Sequence, residues 1–155
     1  MSELNIGDIA PNFKLPKDNG GEISLDELQG KNVVVYFYPK DDTSGCTNQA
    51  QQFSAAIDDF SNANAKIIGI SKDSIKSHDK FKLKYDLKID LLSDETLEVA
   101  NAFGVWVEKS MYGRKYMGMD RATFIIDKNG KIAKIWRKVK IPGHIDEVLK
   151  AVKTL

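Results

Sequence analysis

Residues 32–38 read NVVVYFY, an unbroken β-branched and aromatic run with no alternation of apolar and polar positions. A strand of that composition is buried on both faces, so the fold must place layers above and below it. Two further runs of the same kind follow, KIIGIS at 66–71 and ATFIID at 122–127. After the last of them, Asn129-Gly130 leads into KIAKIW. Asn-Gly readily takes the positive φ angles of a tight turn, so this pair predicts a β-hairpin.

Helical patterns fall between the strands. Within 46–60, Cys46, Ala50, Phe53, Ile57 and Phe60 are spaced by four, three, four and three, which puts them on one helical face. Segments 74–86, 95–103 and 143–154 are the other helix candidates. The order of elements implies an α/β fold, with a central mixed β-sheet flanked by helices on both faces. The sheet is mixed because the hairpin is antiparallel while the βαβ crossovers are parallel. Residues 105–120, VWVEKSMYGRKYMGMD, fit neither period. They read either as a functional loop or as an apolar loop folded back over the core.

With 155 residues, no internal repeat and no linker-like tract, the chain is expected to form one domain over 1–155. Its 23 basic and 22 acidic side chains leave a net charge of +1, which gives no electrostatic ground for a nucleic-acid or membrane partner. No apolar run approaches the roughly 20 residues needed to span a bilayer. The N-terminus lacks the basic start and apolar core of a signal peptide. A single cysteine cannot make an internal disulfide, so the expected setting is a reducing cytoplasm.

That cysteine, Cys46, stands where the first strand run has ended and the first helical pattern begins. Thr43 and Ser44 are suitable N-cap residues, which puts Cys46 in the first turn. Unpaired backbone N–H groups and the positive end of the helix dipole then face the sulfur and favour the thiolate. Pro39 and Gly45 allow a sharp change of direction. The arrangement is that of a strand–loop–helix nucleophile. The competing reading is an inert cysteine packed as a small hydrophobe on an apolar face.

"YPKDDTSGCT" resembles the Pro-x-x-x-Thr-x-x-Cys loop of the peroxiredoxins. "GDIAPNFKLP", "VVVYFYPKDDTSGCTNQA", "LLSDE", "FGVW" and "RATFIID" extend the likeness, in order and over essentially the whole chain, to the PrxQ or bacterioferritin comigratory protein subfamily. The resemblance implies a thioredoxin-like fold with an N-terminal peroxiredoxin extension, and reduction of hydrogen peroxide and organic hydroperoxides by a cysteine thiol without any cofactor or metal. It makes Cys46 the peroxidatic nucleophile, Thr43 a hydroxyl that holds the peroxide oxygen, and Pro39 a shield against water. Arg121 matches the arginine that this subfamily sets beside the cysteine. Two departures stand out. Ser44 replaces the subfamily's proline, and Gln51 occupies the position where many members carry a resolving cysteine. With no second cysteine, an external thiol such as thioredoxin, glutaredoxin or glutathione must regenerate Cys46. A monomer is expected, with a Cys46-linked dimer available on oxidation.

Acidity alone cannot supply the catalysis. For a thiol whose pKa falls from about 8.5 to about 6, the thiolate fraction at pH 7 rises roughly 30-fold, but the weaker nucleophilicity takes back roughly tenfold. Donors aimed at the departing oxygen must do the rest. Other chemistries fit less well. A cysteine hydrolase wants a histidine base, and both His78 and His144 read as surface residues. A thiol–disulfide oxidoreductase wants Cys-x-x-Cys, where this chain has Gln49. One cysteine and two distant histidines give no recognisable metal-ligand spacing. Lys134, Arg137, Lys138 and Lys140 read as a solvated strand edge. A redox-signalling or chaperone-like adaptor, linked to a partner through oxidised Cys46, is the non-enzymatic alternative.

Overall fold

A strand that is apolar on both faces needs partners on both edges and cover on both sides. The computed structural model, which describes residues 4–155, supplies all four to NVVVYFY. The chain opens with a short antiparallel hairpin, β1 (Lys14–Pro16) and β2 (Glu22–Ser24), and a 3-10 turn at Leu25–Leu28. Then come β3 (Asn32–Phe37), α1 (Ser44–Ala55), α2 (Ile57–Asn62), β4 (Ala65–Ser71), α3 (Ile75–Tyr85), β5 (Asp90–Ser93) and α4 (Glu98–Ala102). A second hairpin of β6 (Trp106–Met111) and β7 (Arg114–Met119) precedes β8 (Ala122–Ile126), β9 (Ile132–Trp136) and α5 (His144–Lys153).

The five-stranded sheet has the order β5-β4-β3-β8-β9. β3, β4 and β5 are mutually parallel, whereas β8 runs antiparallel to β3 and β9 antiparallel to β8. All six residues of central β3 are buried. Val33, Val35 and Phe37 point to one face, where they meet Phe103 of the chain after α4 and Phe13 and Leu25 of the N-terminal segment. Val34 and Tyr36 point to the other, covered by α1, α3 and α5 through Ala50, Phe53, Phe81, Ile145 and Val148. This is the expected α/β sandwich, with the N-terminal segment closing one side.

Outside the site region, the structure departs from expectation in three places. The helix expected over 46–60 is broken at Ala56, so that Phe60 reaches the core from α2 rather than from α1. Residues 105–120 form neither a functional loop nor a flap over the core. They form the β6–β7 hairpin, turned by Tyr112 and Gly113 at positive φ. Its base is buried at Val105 and Met119, while Tyr112 at the tip is 98% exposed. Arg137 is the third exception: it leaves the solvated edge, lies over the Phe124 ring and donates to the Gly104 carbonyl. Lys134, Lys138 and Lys140 are exposed at or beyond edge strand β9, as expected.

Candidate active site

β3 ends at Phe37, and the turn 38–43 carries the chain into α1 at the carboxyl edge of the parallel strands. Thr43 is the N-cap, with extended backbone and a carbonyl that accepts from the Thr47 N–H at 2.8 Å. Its hydroxyl does not cap the helix; it donates to the Lys40 carbonyl at 2.9 Å. Ser44 is the first helical residue and does not cap either. Cys46 is therefore the third residue of α1, among first-turn N–H groups that have no intrahelical acceptor. It is 1% exposed and sits against Tyr36, Ala50 and Phe53.

Arg121 reaches the same point from another part of the chain. The antiparallel register pairs Phe37 with Ala122, which sets the residue before β8 opposite the end of β3. One guanidinium nitrogen of Arg121 donates to the Cys46 sulfur at 3.3 Å and the other to Gln49 Oε1 at 2.6 Å. Gly45 makes room for it. A Cβ at that position would lie 3.3 Å from Arg121 Nη2, a tight contact, so glycine here serves close approach rather than a positive φ.

Gln49 is the residue that sequence reasoning missed. It is 0% exposed and holds the guanidinium in the orientation that leaves Nη2 for sulfur. A signal was present: Gln49 lies three residues after Cys46, on the face that also carries Ala50 and Phe53, where a polar side chain needs a partner. Its Nε2 has none among the described residues, and neither do the Tyr36 and Thr47 hydroxyls. Burial, reinforced by the charges of Cys46 and Asp41, pushes the Tyr36 phenol well above its ordinary range, so it stays protonated.

The two histidines correct the expectation of surface residues. His78 of α3 is fully buried, with Nδ1 2.6 Å from Asp41 Oδ2 and Nε2 2.9 Å from the Leu92 carbonyl. His144 is buried at the start of α5, with Nε2 2.8 Å from the Thr123 hydroxyl. A polar segment such as SIKSHDKF conceals a core position whenever the core itself supplies hydrogen-bond partners. Asp41, Asp73 and His78 bring three potential ligand atoms within 4.8 Å of one another. Asp41 Oδ2 also accepts from Ser77, and Asp73 Oδ2 accepts from Ser71 and the Asp41 N–H, so the group forms a hydrogen-bonded network.

The arrangement is a lone sulfur held between a helix start and a guanidinium, with buried neutral donors nearby. It suits a small electrophile that must shed negative charge, and it offers no histidine base within reach of the sulfur by any hydrogen bond recorded among the described residues.

Comparison with known proteins agrees. The model of the AhpC/TSA family matches residues 6–135. The chain is similar to Peroxiredoxin Bcp of Bacillus subtilis, 44% identical over 152 residues, covering 98% of this chain and 97% of that one. It is also similar to Peroxiredoxin Bcp of Escherichia coli, 42% identical over 153 residues, covering 99% and 98%. Among solved structures it resembles the bacterioferritin comigratory protein of Xanthomonas campestris, studied for alkyl peroxide reduction through trapped intermediate and ligand complexes. There the TM-score is 0.88, with 42% identity over 92% of this chain and 90% of that one.

Proposed function

The chain belongs to the AhpC/TSA family and is a thiol peroxidase of the Bcp/PrxQ peroxiredoxin type, and from that premise we propose that Cys46 is its peroxidatic nucleophile. The observation that carries this reading is the 3.3 Å contact between Arg121 and the sulfur of the chain's one cysteine, at the first turn of a helix.

In the proposed reaction the Cys46 thiolate attacks the terminal oxygen of ROOH. The S–O bond forms as the O–O bond breaks, sulfur loses two electrons, and the departing alkoxide takes a proton from solvent to leave as ROH. Cys46 becomes a sulfenic acid. Arg121 stabilises the charge that grows on the departing oxygen, and the Thr43 hydroxyl exchanges the Lys40 carbonyl for the peroxide. Pro39, half-buried in the turn, limits water around the sulfur.

A first external thiol then displaces water to form a mixed disulfide, and a second releases Cys46 and leaves as the oxidised thiol. Thioredoxin, glutaredoxin and glutathione are the candidates, since Gln51 offers no resolving sulfur. At 1% exposure Cys46 admits a small oxidant more easily than a protein thiol, so recycling calls for the first turn of α1 to open. We place the protein in the cytoplasm as a monomer, with a Cys46-linked dimer only on oxidation; among the described residues no helix is long and apolar enough to cross a membrane. An adaptor role through mixed disulfides is not favoured by relatives that are peroxiredoxins by name.

The test is stopped-flow oxidation by hydrogen peroxide and by organic hydroperoxides, followed by rescue with each thiol. Without thiol, intact-mass spectrometry should show Cys46 passing to sulfinic acid or beyond, because no intramolecular disulfide can intercept the sulfenic acid. A chain that stays unmodified in excess peroxide would defeat the proposal.

A further inference from the structure

The turn 38–43 carries Pro39 and Thr43. Its first residue is held by the sheet, the Tyr38 N–H donating to the Ile70 carbonyl of β4 at 3.1 Å, and the Asp41 N–H donates to Asp73 at 2.9 Å. The side chains of Asp41 and Asp42 tie the rest to α3. Asp42, at φ +57, is held from outside by Lys84 Nζ at 2.9 Å and the Tyr85 hydroxyl at 2.6 Å. Asp41 is held from inside. Its Oδ1 accepts from the Tyr38 hydroxyl at 2.6 Å, and its Oδ2 accepts from Ser77 at 2.9 Å and faces His78 Nδ1 at 2.6 Å.

The proton count at His78 follows from its partners. A carbonyl oxygen only accepts, so Nε2, 2.9 Å from the Leu92 carbonyl, carries a hydrogen. Nδ1 and Asp41 Oδ2 then face each other at 2.6 Å, and one of the two must hold a proton between them. Asp41 already takes two hydroxyl hydrogen bonds, the environment of a carboxylate rather than a carboxylic acid. We propose that His78 is a positioning residue of the peroxidase site. As a doubly protonated imidazolium it clamps Asp41, and with it the Pro39–Thr43 turn, between α3 and the end of β5.

The titratable groups facing His78 are Asp41, Asp73 and Tyr38. Asp73 Oδ2 accepts hydrogen bonds from the Ser71 hydroxyl and the Asp41 N–H. Burial, with the Asp41 charge, keeps the Tyr38 phenol well above its ordinary range and therefore neutral. Burial by itself pushes the His78 imidazole down, but the Asp41 hydrogen bond and charge, the Leu92 carbonyl and the Asp73 charge outweigh it and raise it above the usual value. A histidine raised in the folded state stabilises fully below its unfolded value of about 6.5 and loses that contribution as pH rises through the folded value. The clamp is thus set on the acid side of the folded value and released as pH rises through it.

The kinetic part of this inference rests on Cys46 being the nucleophile; the protonation state does not. The chain has two histidines, so ¹⁵N-histidine labelling with H144Q for assignment resolves His78 by NMR. Both ring nitrogens of His78 should carry hydrogen at pH 7, and on the alkaline side Nδ1 should lose its proton while Nε2 keeps the one it gives to the Leu92 carbonyl. The stopped-flow rate of Cys46 oxidation should fall over the same alkaline interval, and H78Q should lose that limb while reacting about tenfold more slowly, as displaced positioning groups do. A single protonated nitrogen at pH 7, a native rate level through the titration, or an alkaline limb unchanged in H78Q would each overturn the proposal. Should H78Q not fold, D41N replaces it, with the same two kinetic outcomes expected and the same reversals. A chain that does not react with peroxide at all would instead refute the Cys46 reading and leave the NMR result standing.

Discussion

Replacing Arg121 with alanine separates what the guanidinium does for the reaction from what it does for the fold. The contact to sulfur is one charge-assisted hydrogen bond, of a kind whose net worth is about 1.5–3 kcal/mol. If that interaction strengthens fully onto the departing oxygen, its loss slows oxidation by roughly 10- to 100-fold, at about 1.4 kcal/mol per factor of ten. The same substitution strips Gln49, which is 0% exposed and whose Nε2 is already unpartnered, of its acceptor's only recorded donor. A fully buried amide left unpaired costs about 1–3 kcal/mol, and water entering the space vacated by the guanidinium holds the value towards the lower end.

R121A should therefore be slower and less stable, and the two effects should come apart in a second variant. Adding Gln49→Leu to R121A removes the stranded amide at similar volume, so urea-unfolding stability should recover while the rate does not. R121K keeps the charge but cannot fork between Gln49 and the sulfur, so its rate should fall between the two. The assay is stopped-flow oxidation at fixed pH, with denaturant unfolding run in parallel. A rate for R121A within twofold of the native chain would remove Arg121 from the mechanism. Recovery of rate along with stability in the double variant would show that the arginine acts only by packing.

Two other outcomes are expected. Q51C should gain a peroxide-dependent intramolecular disulfide, seen as a loss of two hydrogens by mass. Residues five apart on a helix lie about 140° around its axis, beyond disulfide reach, so circular dichroism should show helix lost on oxidation; unchanged helicity would mean that α1 need not unwind. His144 is driven below the ordinary imidazole value by burial, with Glu147 opposing, and so favours the neutral ring. The unfolded chain then binds the extra proton first, and stability should fall as pH drops below about 6.5. H144Q should flatten that slope in urea unfolding at pH 7 and pH 5, and an unchanged slope would place the effect elsewhere.

What the sequence disclosed follows from which interactions are local. β3, β4 and β8 were legible because burial on both faces forces a continuous apolar run, and the Cys46–Ala50–Phe53 face because helical spacing repeats within a few residues. The β6–β7 hairpin escaped because it pairs with itself away from the core, where neither face demands a clean alternation; Met111, Tyr112, Tyr116 and Met117 are exposed. Arg121 came only from family resemblance. Its placement depends on the β3–β8 register, a pairing across more than 80 positions that no local pattern encodes. Gln49 was missed and His78 misread for a common reason: each is a polar side chain in a buried position, and its partner lies far away in the chain.

The same logic bears on the two departures from the subfamily. Ser44 in place of proline would matter if proline were what holds the turn. A proline at the first helical position presets its own φ and restricts the residue before it to extended backbone. Thr43 already has that backbone, at φ −97 and ψ 156, without a proline following it. What holds the turn is α3, through Asp41 on the buried side and Asp42 on the exposed side. The rigidity that a proline would supply locally is thus supplied by tertiary contacts. Gln51 has no such substitute. It is exposed on the far side of α1 from the sulfur, and no other residue of this chain can accept the sulfenic acid's oxidation as a thiol. On the Cys46 reading, serine at 44 should therefore leave the first half of the cycle intact, whereas glutamine at 51 commits the second half to an external thiol.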